Sequence, residues 1–433
     1  AAIDGATAKL GALKVSPEMP LPLLRRVLNA NLRLGGAESA TAVARIAANK
    51  AMPEPIRLEA LAILAQWAEP SGRDRVVGLW RPVPSRLGDD AVEALQPVVA
   101  ELLTSGSDPI RSASARAVAA LKLTEAGPVL LDLFAQEGIG VEARVEVIRA
   151  LEAIADPRLA EVARSASGDR EAMVRNEGLR LLSSLEPAEV LPILETVLEN
   201  GSIAERQGAF EILGAMESDQ ADPLLATWLD HLLANEVPGE VQLDLIEAAE
   251  KRSSVTVRDR LARYEASRIE GDPLSLYRET LLGGDAQRGR RIFFERTEAQ
   301  CQRCHKINGQ GGEVGPVLTD IGARHDRTYI LEAIVAPNAR IAEGFETLVV
   351  ATTDGQVLTG IVKDTSDGVI SLMNADGDTI RIPEESIEER QRGISAMPLD
   401  LLQHLSKRDI RDLVEYLAGR TGEGQRSVRA HGR

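Results

Sequence analysis

Cys301-Gln302-Arg303-Cys304-His305 sets two thiols with two residues between them and an imidazole directly after them. That spacing is the attachment signature of a c-type haem: each thiol forms a thioether to a vinyl group, and the adjacent imidazole ligates the iron. Cys301 and Cys304 are the only cysteines in 433 residues, so no second pair exists to complete a four-ligand zinc site. A redox-active dithiol would sit in a βαβ context, whereas a helix and a glycine loop are expected on the two sides here.

The flanks extend the pattern. Upstream, Gly284 to Phe293 reads as a helix in which Gly289 and Phe293, spaced i, i+4, share a face, and the glycine permits close approach of another helix. Downstream, Asn308 to Leu318 is a glycine-rich loop containing Gly315-Pro316-Val317-Leu318. Further on, Ser395-Ala396-Met397-Pro398 precedes Ser406-Lys407-Arg408-Asp409, a capping box. Ile410, Leu413, Val414 and Leu417 then follow the i, i+3, i+4, i+7 rule of an amphipathic helix.

Together these stretches resemble a class I cytochrome c. The resemblance implies that the Pro316 carbonyl accepts a hydrogen bond from the proximal imidazole of His305, fixing its orientation. It also implies that the closing helix, with Tyr416-Leu417, crosses the first helix at its glycine, and that Met397 is the distal ligand. Met373, in a strand-like alternation, and His325 and His404, which read equally well as surface histidines, compete for the sixth position. Met19, Met52, Met173 and Met216 read as core or surface methionines of the helical half.

Composition sets the class. A content of 44% hydrophobic and 27% charged residues describes a globular chain long enough for two or three domains. The net charge of −16 argues against nucleic acid, which requires a basic face. Aromatic residues at 3% lean against a large carbohydrate cleft. No transmembrane segment and no signal peptide are visible. Haem is nevertheless attached covalently only outside the bacterial cytoplasm, so a periplasmic or otherwise exported location is expected, and a start at Ala1-Ala2 fits a removed leader or a cut from a longer polypeptide.

Residues 1–270 are expected to form a HEAT-like helical repeat domain. A short pattern recurs around Arg57, Arg111, Arg144, Arg175 and Arg206, and from Arg111 onward its copies lie 31 to 33 residues apart. The arginines are expected to bond to neighbouring repeats. Val145, Ile148, Leu151 and Ile154 make a typical apolar stripe. The register breaks across Glu69 to Asp90, either an interface loop or a corner packed by Trp80. No catalytic constellation is visible in this half. Residues 271–283 read as a linker, 284–420 as the c-type cytochrome domain and 421–433 as a disordered tail. Within the cytochrome domain, Glu346–Val362 and Val369–Ile382 read as two hairpins, the second turning at Asn374-Ala375-Asp376-Gly377, which places a β-insert at about 345–383.

The fold class is therefore mainly α: a HEAT-like α-solenoid followed by a class I cytochrome c domain carrying a small β-hairpin insert. This arrangement resembles the haem-binding domain family of planctomycete and verrucomicrobial bacteria. In that family the module often ends a larger polypeptide whose preceding part resembles a sugar-dehydrogenase β-propeller, which implies a redox partner protein or a fused dehydrogenase domain. One covalent haem c ligated by His305 and Met397 has no open position, so an electron carrier rather than an enzyme is expected. An open sixth position would instead give a peroxidase or ligand sensor, and a purely structural haem would staple an interaction scaffold.

Overall fold

A computed structural model describes residues 5–296, 298–374, 377–398 and 400–422. The chain start at Ala1-Ala2, Ala375 and Asp376 of the expected turn, and the expected tail from residue 423 onward lie outside the described residues. Packing divides the chain into two compact units, Ala1–Thr196 and Val197–Arg433, so the expected boundary near 270 falls inside the second.

The first unit is a HEAT-like repeat array. Its helices are α1 (Ala6–Gly11), α2 (Leu21–Leu34), α3 (Gly36–Ala48), α4 (Glu54–Ala65), α5 (Asp89–Ser105), α6 (Asp108–Leu121), α7 (Gly127–Ala135), α8 (Val141–Ala153), α9 (Leu159–Ser167) and α10 (Ala172–Leu185); the division falls inside α11 (Pro187–Asn200). Prolines Pro55 and Pro109 stand in the first turns of α4 and α6, where no amide hydrogen is needed. Alternate helices stack, α4 on α6, α6 on α8 and α8 on α10 along one side, and α3 on α5 and α5 on α7 along the other. Val145, Ile148, Leu151 and Ile154 are all buried, so each apolar stripe is covered by its neighbour.

The recurring arginines have a more local task than expected. Arg57 donates to the Ala47 carbonyl at 2.8 Å, Arg111 to Leu103 and Thr104 at 3.3 Å, and Arg175 to Asp169 at 2.6 Å. In each case the acceptor lies at or just past the C-terminus of the preceding helix, where carbonyls lack intrahelical partners and the helix dipole favours a cation. Arg144 follows the expectation, pairing with Asp169 of the next repeat. At the Glu69–Asp90 break, Trp80 does not pack the corner: it is 73% exposed, and the buried tryptophan nearby is Trp67, with the Arg86 guanidinium 4.4 Å above its ring.

The second unit opens with α12 (Ile203–Ala215), α13 (Asp222–Leu233), α14 (Gly239–Glu250) and α15 (Val255–Glu265). Arg206 repeats the capping contact, to the Glu199 carbonyl. The expected linker, 271–283, has structure of its own. It forms two 3-10 turns, Pro273–Leu276 and Arg278–Thr280, and buries Ser275, Glu279 and Thr280. Glu279 accepts a hydrogen bond from the Tyr264 hydroxyl at 2.6 Å and faces Arg268 at 3.3 Å. A buried carboxylate needs such partners, and finding them on and just beyond α15 pins the segment. Burial and the bond to Glu279 push the Tyr264 hydroxyl up to about 12.

The remaining helices are α16 (Ala286–Glu295), α17 (Cys301–Cys304), α18 (Ile321–Arg324), α19 (Arg327–Val335) and α20 (Lys407–Ala418), around a core that includes Phe293, Ile330, Leu331, Ile410, Leu413, Val414 and Tyr416. α20 starts with the expected box: Ser406 accepts from the Asp409 amide while Asp409 accepts from the Ser406 amide. A Cβ on Gly289 would collide with the Asp412 carbonyl, so α16 and α20 cross there backbone to backbone. α20 is also joined to the last repeat. Arg411 meets Asp244 of α14 at 2.6 Å, both 2% exposed, and Arg408 reaches Glu247 and Glu211.

Two short strands, β1 (Lys306–Ile307) and β2 (Gln310–Gly311), pair after the haem motif. The insert is an antiparallel sheet of β3 (Thr347–Thr352), β4 (Val357–Ser366), β5 (Val369–Met373), β6 (Thr379–Pro383) and β7 (Ile387–Arg392), in the order β6-β5-β4-β3-β7. It therefore extends past 383, where the two expected hairpins end. β7 runs Ile387-Glu388-Glu389-Arg390-Gln391-Arg392 with every residue after Ile387 exposed, so it lacks the alternation by which a half-buried strand is recognised. Backbone pairing to β3 makes it a strand, and its charges guard an open edge.

Candidate haem site

α17 is a single turn, so Cys301 and Cys304 project three residues apart from one side of it, and both thiols are free. Burial pushes the Cys301 thiol up to about 11 and raises Cys304 as well. A redox dithiol needs the opposite, a thiol pushed toward thiolate. Among the described residues, no three His, Cys, Asp or Glu side chains gather where they could share one metal ion. Cys301, Cys304 and His305 thus do not converge on a point, as zinc ligands would.

The imidazole is held from two sides. His305 Nδ1 lies 2.9 Å from the Pro316 carbonyl oxygen, which can only accept, so Nδ1 carries the proton and Nε2 keeps its lone pair for a metal. Burial lowers the imidazole's pKa, against the pull of that carbonyl, and keeps the ring neutral. Gly315 lies flat against the ring: a Cβ there would sit 2.6 Å from His305 Cε1. The loop is tied down by Gly312 N–H to the Gln302 carbonyl at 2.9 Å, Gly315 N–H to Cys304 at 2.7 Å and Leu318 N–H to Lys306 at 2.9 Å. Within this loop the resemblance gives a role to Pro316 alone; Gly315 enters the sequence reading as the first residue of the same Gly-Pro-x-Leu loop, with no role of its own.

Met397 is half-buried and packs on the same apolar cluster as Cys301, together with Leu318. Its amide donates to Ser395 Oγ at 3.2 Å, and the Ser395 amide donates to Asn338 Oδ1 at 2.8 Å, so the Ser395–Pro398 loop is anchored to the turn after α19. The competitors lie elsewhere. His325 stacks on Tyr329 with ring centroids 3.7 Å apart, and His404 is exposed. Met373 is buried at the end of β5, in a separate cluster with Cys304. The residues present fit a haem c: two thiols on one helical turn, a neutral imidazole with Nε2 available, and a loop glycine, Gly315, lying against the ring.

Residues 286–365 match the cytochrome c family model, a span that begins at α16 and ends within β4, before Met397. Among solved structures, the complex of CpcE and CpcF of phycocyanin lyase from Nostoc sp. is similar over 58% of this chain and 96% of that one, at 17% identity and a TM-score of 0.34. No curated protein matches the chain in sequence. Among the described residues, no helix is long and apolar enough to cross a membrane.

Proposed function

We propose that the chain is an electron carrier with one haem c, bound covalently through Cys301 and Cys304 and ligated by His305 and Met397. The observation that carries this is the His305 Nδ1 to Pro316 contact, which orients the ring and reserves Nε2 for iron. When bound, the haem supplies a one-electron ferrous/ferric couple. Cys301 and Cys304 anchor it, the core around Phe293 and Ile330 excludes water, and the Met397 thioether, which favours ferrous iron, fills the position a substrate would need. Covalent attachment requires export, so the carrier works in the periplasm or an equivalent space. Its donor is a dehydrogenase, either a partner or a fused domain, as in the planctomycete and verrucomicrobial proteins it resembles.

The test is the absorption spectrum of the purified protein, oxidised and reduced, with and without carbon monoxide. A weak far-red methionine-to-iron band and no response to carbon monoxide are expected. A high-spin spectrum or ready carbon monoxide binding would overturn the closed site in favour of a peroxidase or sensor.

A further inference from the structure

The insert sheet has two faces, and only one makes a core of its own. Val350, Ile370, Leu372 and Ile382 are buried together there, as the pairing of Ile370 with Ile382 requires. On the other face, Ile361 and Met373 stand directly opposite each other across β4 and β5, 2% and 8% exposed. The sheet itself does not bury them. They pack on Val314, Cys304 and Phe345, with Lys363 Nζ 5.0 Å above the Phe345 ring. Val314 immediately precedes the glycine that lies against His305, and Gly377, just before β6, abuts it too: a Cβ there would lie 3.9 Å from Val314 Cγ2. The sheet therefore rests on the haem-attachment turn.

We propose that Met373, Ile361 and Phe345 form the apolar wall along the haem edge carried by Cys304, and that this wall makes the sheet a determinant of redox potential. The inference rests on the haem reading above. Ferric haem carries one more positive charge than ferrous haem, so a wall that excludes water penalises the oxidised form and raises the potential. Met373 acts as a positioning residue in that wall, not as an iron ligand, because it packs with Cys304 in a cluster that does not include Met397.

The test compares the full-length holoproteins of the wild type, Met373→Gln, Met373→Leu and Ile361→Thr by haem stain, oxidised spectrum and equilibrium redox titration. Met373→Gln should keep its haem and its far-red band, yet shift the one-electron equilibrium toward the ferric form by about tenfold, or about 59 mV. Ile361→Thr should shift it the same way, and stands in if the glutamine variant does not fold. Met373→Leu, which conserves volume and polarity, should titrate like the wild type. Equal potentials in all four proteins would refute the wall with the haem reading intact. Loss of the far-red band in both Met373 variants would overturn it by making Met373 the axial ligand. A wild type without covalent haem would instead sink the reading on which the wall rests.

Discussion

Asp244→Ala removes the carboxylate that pairs with the Arg411 guanidinium at 2.6 Å. Both side chains are 2% exposed, and both terminal nitrogens of Arg411 face Asp244, at 2.6 and 3.4 Å. Arg411 Nε is buried with no hydrogen-bond partner, so Asp244 supplies the hydrogen bonds that the guanidinium makes through its terminal nitrogens. Breaking a buried pair from one side costs about 3–5 kcal/mol, most of it the penalty of an unpaired buried charge. With a urea slope of about 2 kcal/mol/M, the unfolding midpoint of the second unit should fall by about 1.5–2.5 M. Arg411→Met should cost less, because Asp244 keeps Arg408 at 3.6 Å. Asp244→Leu/Arg411→Met should recover most of the loss, since removing both charges can be close to neutral. Urea titrations followed by circular dichroism and by haem absorbance would decide it. If Asp244→Ala moved the midpoint by less than about 0.3 M, or the double variant did no better, the pair would not be what fastens α20 to the last repeat.

Met397→Ala should abolish the far-red band, admit carbon monoxide and lower the midpoint potential; an unchanged spectrum would assign the sixth position to another residue. Gly289→Val should force α16 and α20 apart where their backbones cross, at an overpacking cost of about 1–3 kcal/mol read as a lower thermal midpoint, and unaltered melting would mean that the crossing yields freely.

What the sequence revealed and what it concealed divide along physical lines. Signals confined to one turn or one helix were legible: the Ser406–Asp409 box makes both reciprocal bonds, and Val145 to Ile154 is buried as its periodicity required. The Pro316 contact and the Gly289 crossing followed from the family resemblance and appear in the geometry. Features that depend on a distant partner were not legible. β7 is a strand because β3 lies beside it, and 271–283 is packed because Tyr264 and Arg268 meet Glu279. The capping arginines recur visibly, yet their carbonyl acceptors carry no side-chain signature. Likewise, nothing in Val369–Met373 taken alone tells which of its faces meets the cysteine turn.

The sheet's entry and exit are joined. β3 and β7, first and last in sequence, are neighbours, and beyond them the Gly393 amide donates to the Thr347 carbonyl at 2.8 Å while Thr347 Oγ1 donates to Ile394 at 2.5 Å. Closing a flexible loop costs entropy that grows with the logarithm of its length, and non-local pairing slows folding. Once this sheet has zipped up, the chain leaves and returns at almost one point, so the search that brings α20 onto α16 is that of a much shorter polypeptide. The insert should therefore quicken the folding of its host more than its size would suggest, and lengthening the exposed β4–β5 turn at Asp367-Gly368 should leave that rate nearly unchanged.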